Sequence, residues 1–453
     1  MKNNFRFILT SFVFLIATSC EKNLDIDPTQ SIDEDQALLT SSDVEAALVG
    51  AYSDLGDGDV YGGSLFVLSE LLGNSAASIN WTGTFQTMTQ VYTKLIPVDN
   101  ADVRDTWTDA YKAINDVNNV LSAIDIVLEA KKNRVEGEAK FIRGSIYFDL
   151  VRLYAKAWDD GNSATNDGVP LILEPTRAPL GEEDKKPRAK VAEVYAQVIK
   201  DLTEAEALLP ASNGFFASKY AAAAMLSRVY LQKGDYTDAA EAATRVIASQ
   251  KFKLTPTYAE AFPFNSNNTN EVVGNTSEDV FAMQVTNSQG VNSFNTYFST
   301  LGRGDIDIAQ DFIDQFEPND DRLSIYYDDG GIRSGKFDMV YSAVRLIRLA
   351  EMYLTRAEAN FRLGTSIGDA PVDDINEIRK RADLALHGAP DLTLALILKE
   401  RKLELAFEGF TLADLKRTQS SVGSLPWNSP RLVFPIPDRE RKVNSNLTQN
   451  DGY

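Results

Sequence analysis

SKYAAAAMLSRVYLQKGDYTDAAEAATRVIAS, residues 218–249, reads as two helices joined by a tight turn. The first half is rich in alanine, and a second helix resumes from about Thr237 after Lys233, Gly234, Asp235 and Tyr236. Gly234 supplies the positive φ that ends a helix, while Ala222, Ala224, Ala239 and Ala243 let paired helices approach closely. Residues 346–384 repeat the plan, with Arg362, Leu363 and Gly364 closing one helix and the run from Val372 to Ile375 opening the next.

This spacing is similar to that of tetratricopeptide units, whose period is about 34 residues. Upstream, Val135, Ala139, Ile142, Ile146, Leu150 and Leu153 fall at steps of three or four and predict an amphipathic helix between Arg134 and Trp158. The same period recurs at Val194, Val198, Leu202, Ala205 and Leu209, stopping before Pro210, and at Ile347, Ala350, Leu354, Ala357 and Phe361. The expectation is an all-α fold, with helix-pair regions at about 101–250 and 346–417. Residues 252–341 differ: Asn, Ser, Thr and Gly are abundant and, apart from Ile308 to Phe316, no helical period lasts beyond two turns. An insert this long is too large for a bare loop in a compact domain, which marks it as a functional part.

The first nineteen residues carry only Lys2 and Arg6 as charges, then an apolar run from Phe7 to Ala17, then Thr18, Ser19 and Cys20. That run is shorter than the roughly 20 residues needed to span a bilayer, and residues 1–19 read as a cleaved signal peptide. A cysteine directly after small residues forms a lipobox, whose thiol becomes the acylated new N-terminus. Cys20 is the only cysteine, and lipidation accounts for an unpaired thiol in an oxidising compartment. Residues 20–35, acidic and containing Pro28, read as a flexible leash, and residues 36–453 as a single domain.

The formal charge of −20 becomes two more negative once Lys2 and Arg6 leave with the leader. No Lys/Arg block offers itself to phosphates, so nucleic acid is excluded and membrane attachment falls to the lipid alone. The lone histidine, His387, rules out His-cluster metal sites and reads as a loop residue near Gly388 and Pro390. Asp314, Asp320, Asp321, Asp328 and Asp329 lack a calcium-loop pattern and read as a solvated face; no cofactor or metal is expected. Glu400, Glu404 and Glu408 recur at four-residue steps and call for basic partners elsewhere in the chain.

Several stretches together resemble one family, the SusD/RagB-like nutrient-binding lipoproteins of the outer membrane. They are Glu136 to Arg143 running into Tyr147 to Tyr154, Val169-Pro-Leu, Glu193 to Tyr195, Asp201-Leu202, Leu209-Pro210 and Lys219 to Tyr236. They continue with Leu349 to Ala359, Lys399 to Leu405, Glu408-Gly409, Phe434 to Pro437 and Asn446 to Tyr453. The resemblance implies about four tetratricopeptide-like helix pairs packed against an irregular, loop-rich part that holds the ligand. It also implies a cell-surface lipoprotein that closes over a TonB-dependent, SusC-like transporter and delivers oligosaccharides or, in some members, peptides. Phe410 to Ala413 departs from the family's commoner Arg and aromatic pair before Asp414-Leu415.

A sugar presents an apolar C–H face and a rim of hydroxyls, so its site needs exposed aromatics among hydrogen-bonding side chains. Two stretches fit: Asn74 to Phe85, with Asn80 and Trp81, and Asn292 to Asp305, with Tyr297 and Arg303. The candidate ligand contacts are Asn74, Asn80, Trp81, Phe85, Tyr297 and Arg303, although aromatics in either stretch equally suit a core plug. Arg303, flanked by glycines, is suited to bidentate contact with a hydroxyl or carboxylate, and the Arg-Gly-Asp triplet it opens is read as chance. Trp107 and Trp158 lie on predicted helices and are assigned to the core. Two other classes stay open at this point: a glycoside hydrolase, which needs only two of the 65 acidic residues, and a protein-binding scaffold.

Overall fold

The computed structural model describes residues 38–177, 181–182 and 185–453, so the signal peptide, Cys20 and the leash lie outside the described residues. The chain enters α1 (Ser41–Leu55) through a capping box: Thr40 Oγ1 accepts from the Asp43 amide while the Asp43 carboxylate accepts from the Thr40 amide. Then follow α2 (Ser64–Gly73), α3 (Gln86–Tyr92), α4 (Ala101–Ser122), α5 (Glu129–Tyr154) and α6 (Val191–Leu208). The opening repeat is α7 (Lys219–Lys233) and α8 (Tyr236–Ala248), turned by Gly234 at φ +80° as its sequence requires. In the insert lie the short α9 (Ser293–Phe298) and α10 (Gln310–Ile313). The second repeat is α11 (Leu349–Leu363), ended by Gly364 at φ +66°, and α12 (Pro371–Arg381), with proline in its first turn. Finally come α13 (Leu394–Glu404), α14 (Thr411–Arg417) and α15 (Asp438–Val443).

Four helix pairs make one side: α1 with α4, α5 with α6, α7 with α8, and α11 with α12. Neighbouring pairs stack through α4 on α5, α6 on α7 and α8 on α11, and one buried cluster runs from Val44 to Leu447. The central helix α5 begins at Glu129 and stops at Tyr154, earlier at both ends than its periodicity predicts. The stop has a distant cause. The Leu153 carbonyl accepts from the Phe434 amide, and the Tyr154 carbonyl accepts from Asn450 Nδ2 at 2.8 Å and Arg188 Nη2 at 3.2 Å. Gln449 closes this clamp by accepting from the Ile436 amide and donating to its carbonyl.

Helices dominate as expected, but the irregular part adds three small sheets. The strands are β1 (Ile79–Trp81), β2 (Val272–Val273), β3 (Asp279–Met283), β4 (Ile306–Ile308), β5 (Tyr326–Asp328), β6 (Ile332–Ser334), β7 (Tyr341–Ser342) and β8 (Val344–Arg348). One sheet has the order β1-β4-β6-β5, while β2 pairs with β7 and β3 with β8. Strands this short show no period-two signal in the sequence.

Buried ion pairs lock the insert to the helices. Arg348 reaches Glu278 at 2.5 Å, Glu404 at 3.1 Å and Glu408 at 2.8 Å, and Arg381 bridges Glu278 and Glu404. Arg322 and Arg379 meet Glu400 at 2.6 and 3.3 Å, and Lys336 meets Glu408 at 2.6 Å. These are the basic partners that the four-residue glutamate repeat called for. Asp320 corrects another expectation: it is buried and paired with Arg322 at 2.7 Å, whereas Asp314, Asp328 and Asp329 are exposed.

Candidate glycan-binding site

The site is assembled where β1 meets β4. These strands run antiparallel, with Ile79 opposite Ile308 and Trp81 opposite Ile306. Alternation along β1 sends Ile79 into the core and turns Trp81 to the same side, half-buried against that core. Beyond the strand, Thr82 extends the pairing by donating its amide (2.8 Å) and hydroxyl (3.1 Å) to the Asp305 carbonyl. Gly83 then passes so near the indole that an added Cβ would lie 2.5 Å from a Trp81 ring carbon, so only glycine fits. The indole N–H donates to Thr89 Oγ1 on α3 at 2.9 Å, which fixes the ring plane.

Tyr297 on α9 lies beside this ring, with centroids 6.0 Å apart and planes tilted by 53°. Its phenol pKa is pushed up to about 12 by burial and by the negative charges of Asp102, Asp305 and Asp59. Phe85, 43% exposed, sits just ahead of α3. Over its face lies the Arg303 guanidinium, 4.1 Å from the ring centroid. Arg303 Nε donates to Asp305 Oδ2 at 2.6 Å and Nη2 to Oδ1 at 3.4 Å, while Nη1 has no hydrogen-bond partner among the described residues. The Arg303 amide donates to the Thr296 carbonyl at 2.7 Å, tying the loop to the helix that carries Tyr297.

The structure therefore brings together Trp81, Phe85, Tyr297 and Arg303, from two stretches more than 200 residues apart. Asn80 lies one residue away on the opposite sheet face, in register with Asp307. Asn74 lies apart. It is buried at the end of α2, where its amide donates to the Glu70 carbonyl (3.0 Å) and Glu70 Oε2 (2.7 Å). Glu70 in turn accepts from the Gly409 amide and the Thr411 hydroxyl, both at 2.8 Å, which joins α2 to the start of α14. Asn74 and Thr411 border a separate cavity of about 600 Å³.

Trp107 is buried and Trp158 packs against the core, as their helical settings predict. Arg303 and Asp305 are tied to each other, and Asp305 is buried, so their tripeptide offers no free adhesion motif. His387 exchanges backbone hydrogen bonds with the Asn376 side chain in a loop. Phe410, at the departure from the family pattern, has the guanidiniums of Arg228 (4.8 Å) and Arg401 (5.3 Å) over its ring. Asp305 and Thr89 carry no sequence signal of their own, because their importance lies in holding Arg303 and Trp81.

Two features thus lie together at the surface: a tilted, partly buried aromatic pair and a guanidinium over a phenyl ring. Such a surface can stack on an apolar ring face and donate to its hydroxyls. Residues 23–231 match a family described as starch-binding and associating with the outer membrane, and residues 335–428 match the SusD family. The SusD-like protein P2 of Formosa agariphila is 26% identical over 99% of this chain and 100% of its own. The starch-binding protein SusD of Bacteroides thetaiotaomicron is 37% identical over 24% of this chain and 21% of its own. A solved Bacteroides vulgatus structure superposes with a TM-score of 0.81 at 27% identity, covering 92% of this chain and 99% of that one. A SusD superfamily protein of Bacteroides thetaiotaomicron gives 0.78 at 25%, covering 91% and 99%.

Proposed function

Because the chain belongs to the SusD/RagB-like family, we propose that it is a non-catalytic surface lipoprotein that binds neutral glycans on the Trp81 platform and passes them to a TonB-dependent, SusC-like transporter in the outer membrane. The carrying observation is the convergence of Trp81, Tyr297, Phe85 and Arg303 at one place on a rigid helical scaffold. The family's description and the starch-binding relative support the glycan reading. Charge narrows it to neutral glycans. Asp305 neutralises Arg303, Asp102 and Asp59 add negative potential at Tyr297, and the whole chain is strongly acidic, so uronic or sulfated chains are repelled. No helix among the described residues is long and apolar enough to cross a membrane; the attachment we propose is the lipid on Cys20.

The test is affinity gel electrophoresis of the protein begun after Cys20, in gels containing amylopectin, laminarin, xylan or mannan. Retardation by at least one of them, lost in Trp81→Ala, is expected. No retardation by any polysaccharide overturns the glycan reading, and release of reducing ends from a bound one overturns the non-catalytic part. Co-purification of a TonB-dependent barrel from outer membranes tests the transporter.

A further inference from the structure

A small cavity lies where the last turn of α5, the first turns of α6 and the end of α7 meet α14. Its volume of about 20 Å³ has room for one particle of about the size of a water molecule. Trp158 and Tyr195, with ring centroids 5.0 Å apart, supply apolar wall. Gln232 also lines it, buried, with no hydrogen bond from its side-chain amide among the described residues.

The remaining wall is cationic: Arg152, Lys416 and Arg417 all border the cavity. Lys416 is only 5% exposed, and its Nζ is buried with no hydrogen-bond partner among the described residues. Burial pushes its pKa down to about 8, so the ammonium still carries its charge at neutral pH. Arg152 pairs with Asp149 through Nη2, but its Nε is likewise buried without an acceptor. Arg417 is engaged by Asp414 and Glu358, and these two carboxylates also receive Arg401 and Arg362 respectively. Three guanidiniums therefore share two carboxylates, and Lys416 adds a fourth cation to the same neighbourhood. Asp159 borders the cavity from an exposed position and Asp160 lies nearby, yet neither forms an ion pair with Lys416.

A buried ammonium with no anion beside it is strongly unfavourable. A water in the cavity would accept a hydrogen bond and leave the excess charge standing. The volume excludes sulfate, phosphate and carboxylates and admits a monatomic anion. We propose that the cavity is a halide site, filled by chloride held by Lys416 and Arg152, which compensates the buried cations and joins α14 to the end of α5. It uses no residue of the Trp81 platform and stands independently of the glycan reading.

The test uses the protein begun after Cys20. Crystals grown without halide and soaked in sodium bromide are expected to show an anomalous bromine peak in the cavity, in contact with Lys416 Nζ. In solution, chloride replacing gluconate at constant ionic strength is expected to raise the wild-type melting temperature by about 1–2 °C and to saturate in the millimolar range. Lys416→Met removes the charge while keeping a long unbranched side chain, and both the peak and the response are expected to vanish in it. Absence of a bromine peak in the wild type overturns the site. A peak without a saturable chloride response marks an adventitious ion only and overturns it equally, as does a response that persists in Lys416→Met. If that variant fails to fold, the wild-type peak and its chloride saturation decide the matter.

Discussion

The guanidinium of Arg303 lies 4.1 Å from the centre of the Phe85 ring, tied in place by the Asp305 carboxylate. A lysine at 303 would keep the charge and lose both the planar stack and the fork. Arg303→Lys is expected to weaken glycan binding by about 3- to 10-fold while shifting stability by less than about 1 kcal/mol. Titration calorimetry beside a thermal melt checks this, and unchanged affinity would remove Arg303 from the site.

Thr89 tests the indole's anchor. Thr89→Val deletes the acceptor for the Trp81 N–H and frees the ring to turn, at a stability cost of about 1 kcal/mol. Glycan affinity should fall several-fold, less than in Trp81→Ala. Quenching of indole fluorescence by acrylamide should rise in parallel, and no rise would show that packing alone holds the ring.

Glu404 is fully buried among Arg381, Arg348 and Arg322, whose charges outweigh burial and hold its pKa at about 2. Glu404→Gln leaves cationic charge uncompensated and should cost about 3–5 kcal/mol in urea unfolding. Because the folded pKa lies below the unfolded one, the group's stabilisation is complete above about pH 4.5 and is lost as pH falls towards about 2. A stability profile flat across that interval would contradict the assignment.

Asp59 should act in the opposite sense. Burial, then the charges of Asp57, Asp105, Asp109 and Asp102, push its pKa up to about 6. Ionising it therefore opposes folding as pH rises from about 4 through 6. Asp59→Asn is expected to raise the melting temperature by about 1–2 °C at pH 7 and by nothing at pH 4. An equal gain at both pH values would point to packing instead of charge.

Cys20→Ala should leave glycan binding in solution unchanged and move the protein from the membrane fraction to the soluble one. Growth on the bound polysaccharide is expected to slow, because the proposed tether would hold the protein beside the proposed transporter and raise its effective concentration there. Normal growth would show the tether to be dispensable.

The helical half of the molecule was legible because its signals are local. Gly234 and Gly364 end helices where their residue type requires, and the glutamate triplet announced partners that Arg322, Arg348 and Arg381 supply. The candidate site was legible as separate residues more than as an assembly. Trp81 and Tyr297 stood out as aromatics among polar residues, but their meeting depends on the β1–β4 pairing, which two three-residue strands do not announce. Asn74 looked equally suited to a ligand, yet its amide is engaged by Glu70, a contact set by the arrival of residues 409–411. Asp320 sat in an acidic run that resembled a water-facing surface, and only the fold places Arg322 across it.

The Asn450 clamp on α5 has a consequence for the order of assembly. The carbonyl of Tyr154 is made early in synthesis and waits for a side chain almost 300 residues later before its hydrogen bond is complete. Until residues 434–450 have been delivered, the last turn of the central helix lacks the Phe434 and Asn450 donors and keeps only that of Arg188, so a chain stopped short of residue 434 is left with an incompletely closed helix end.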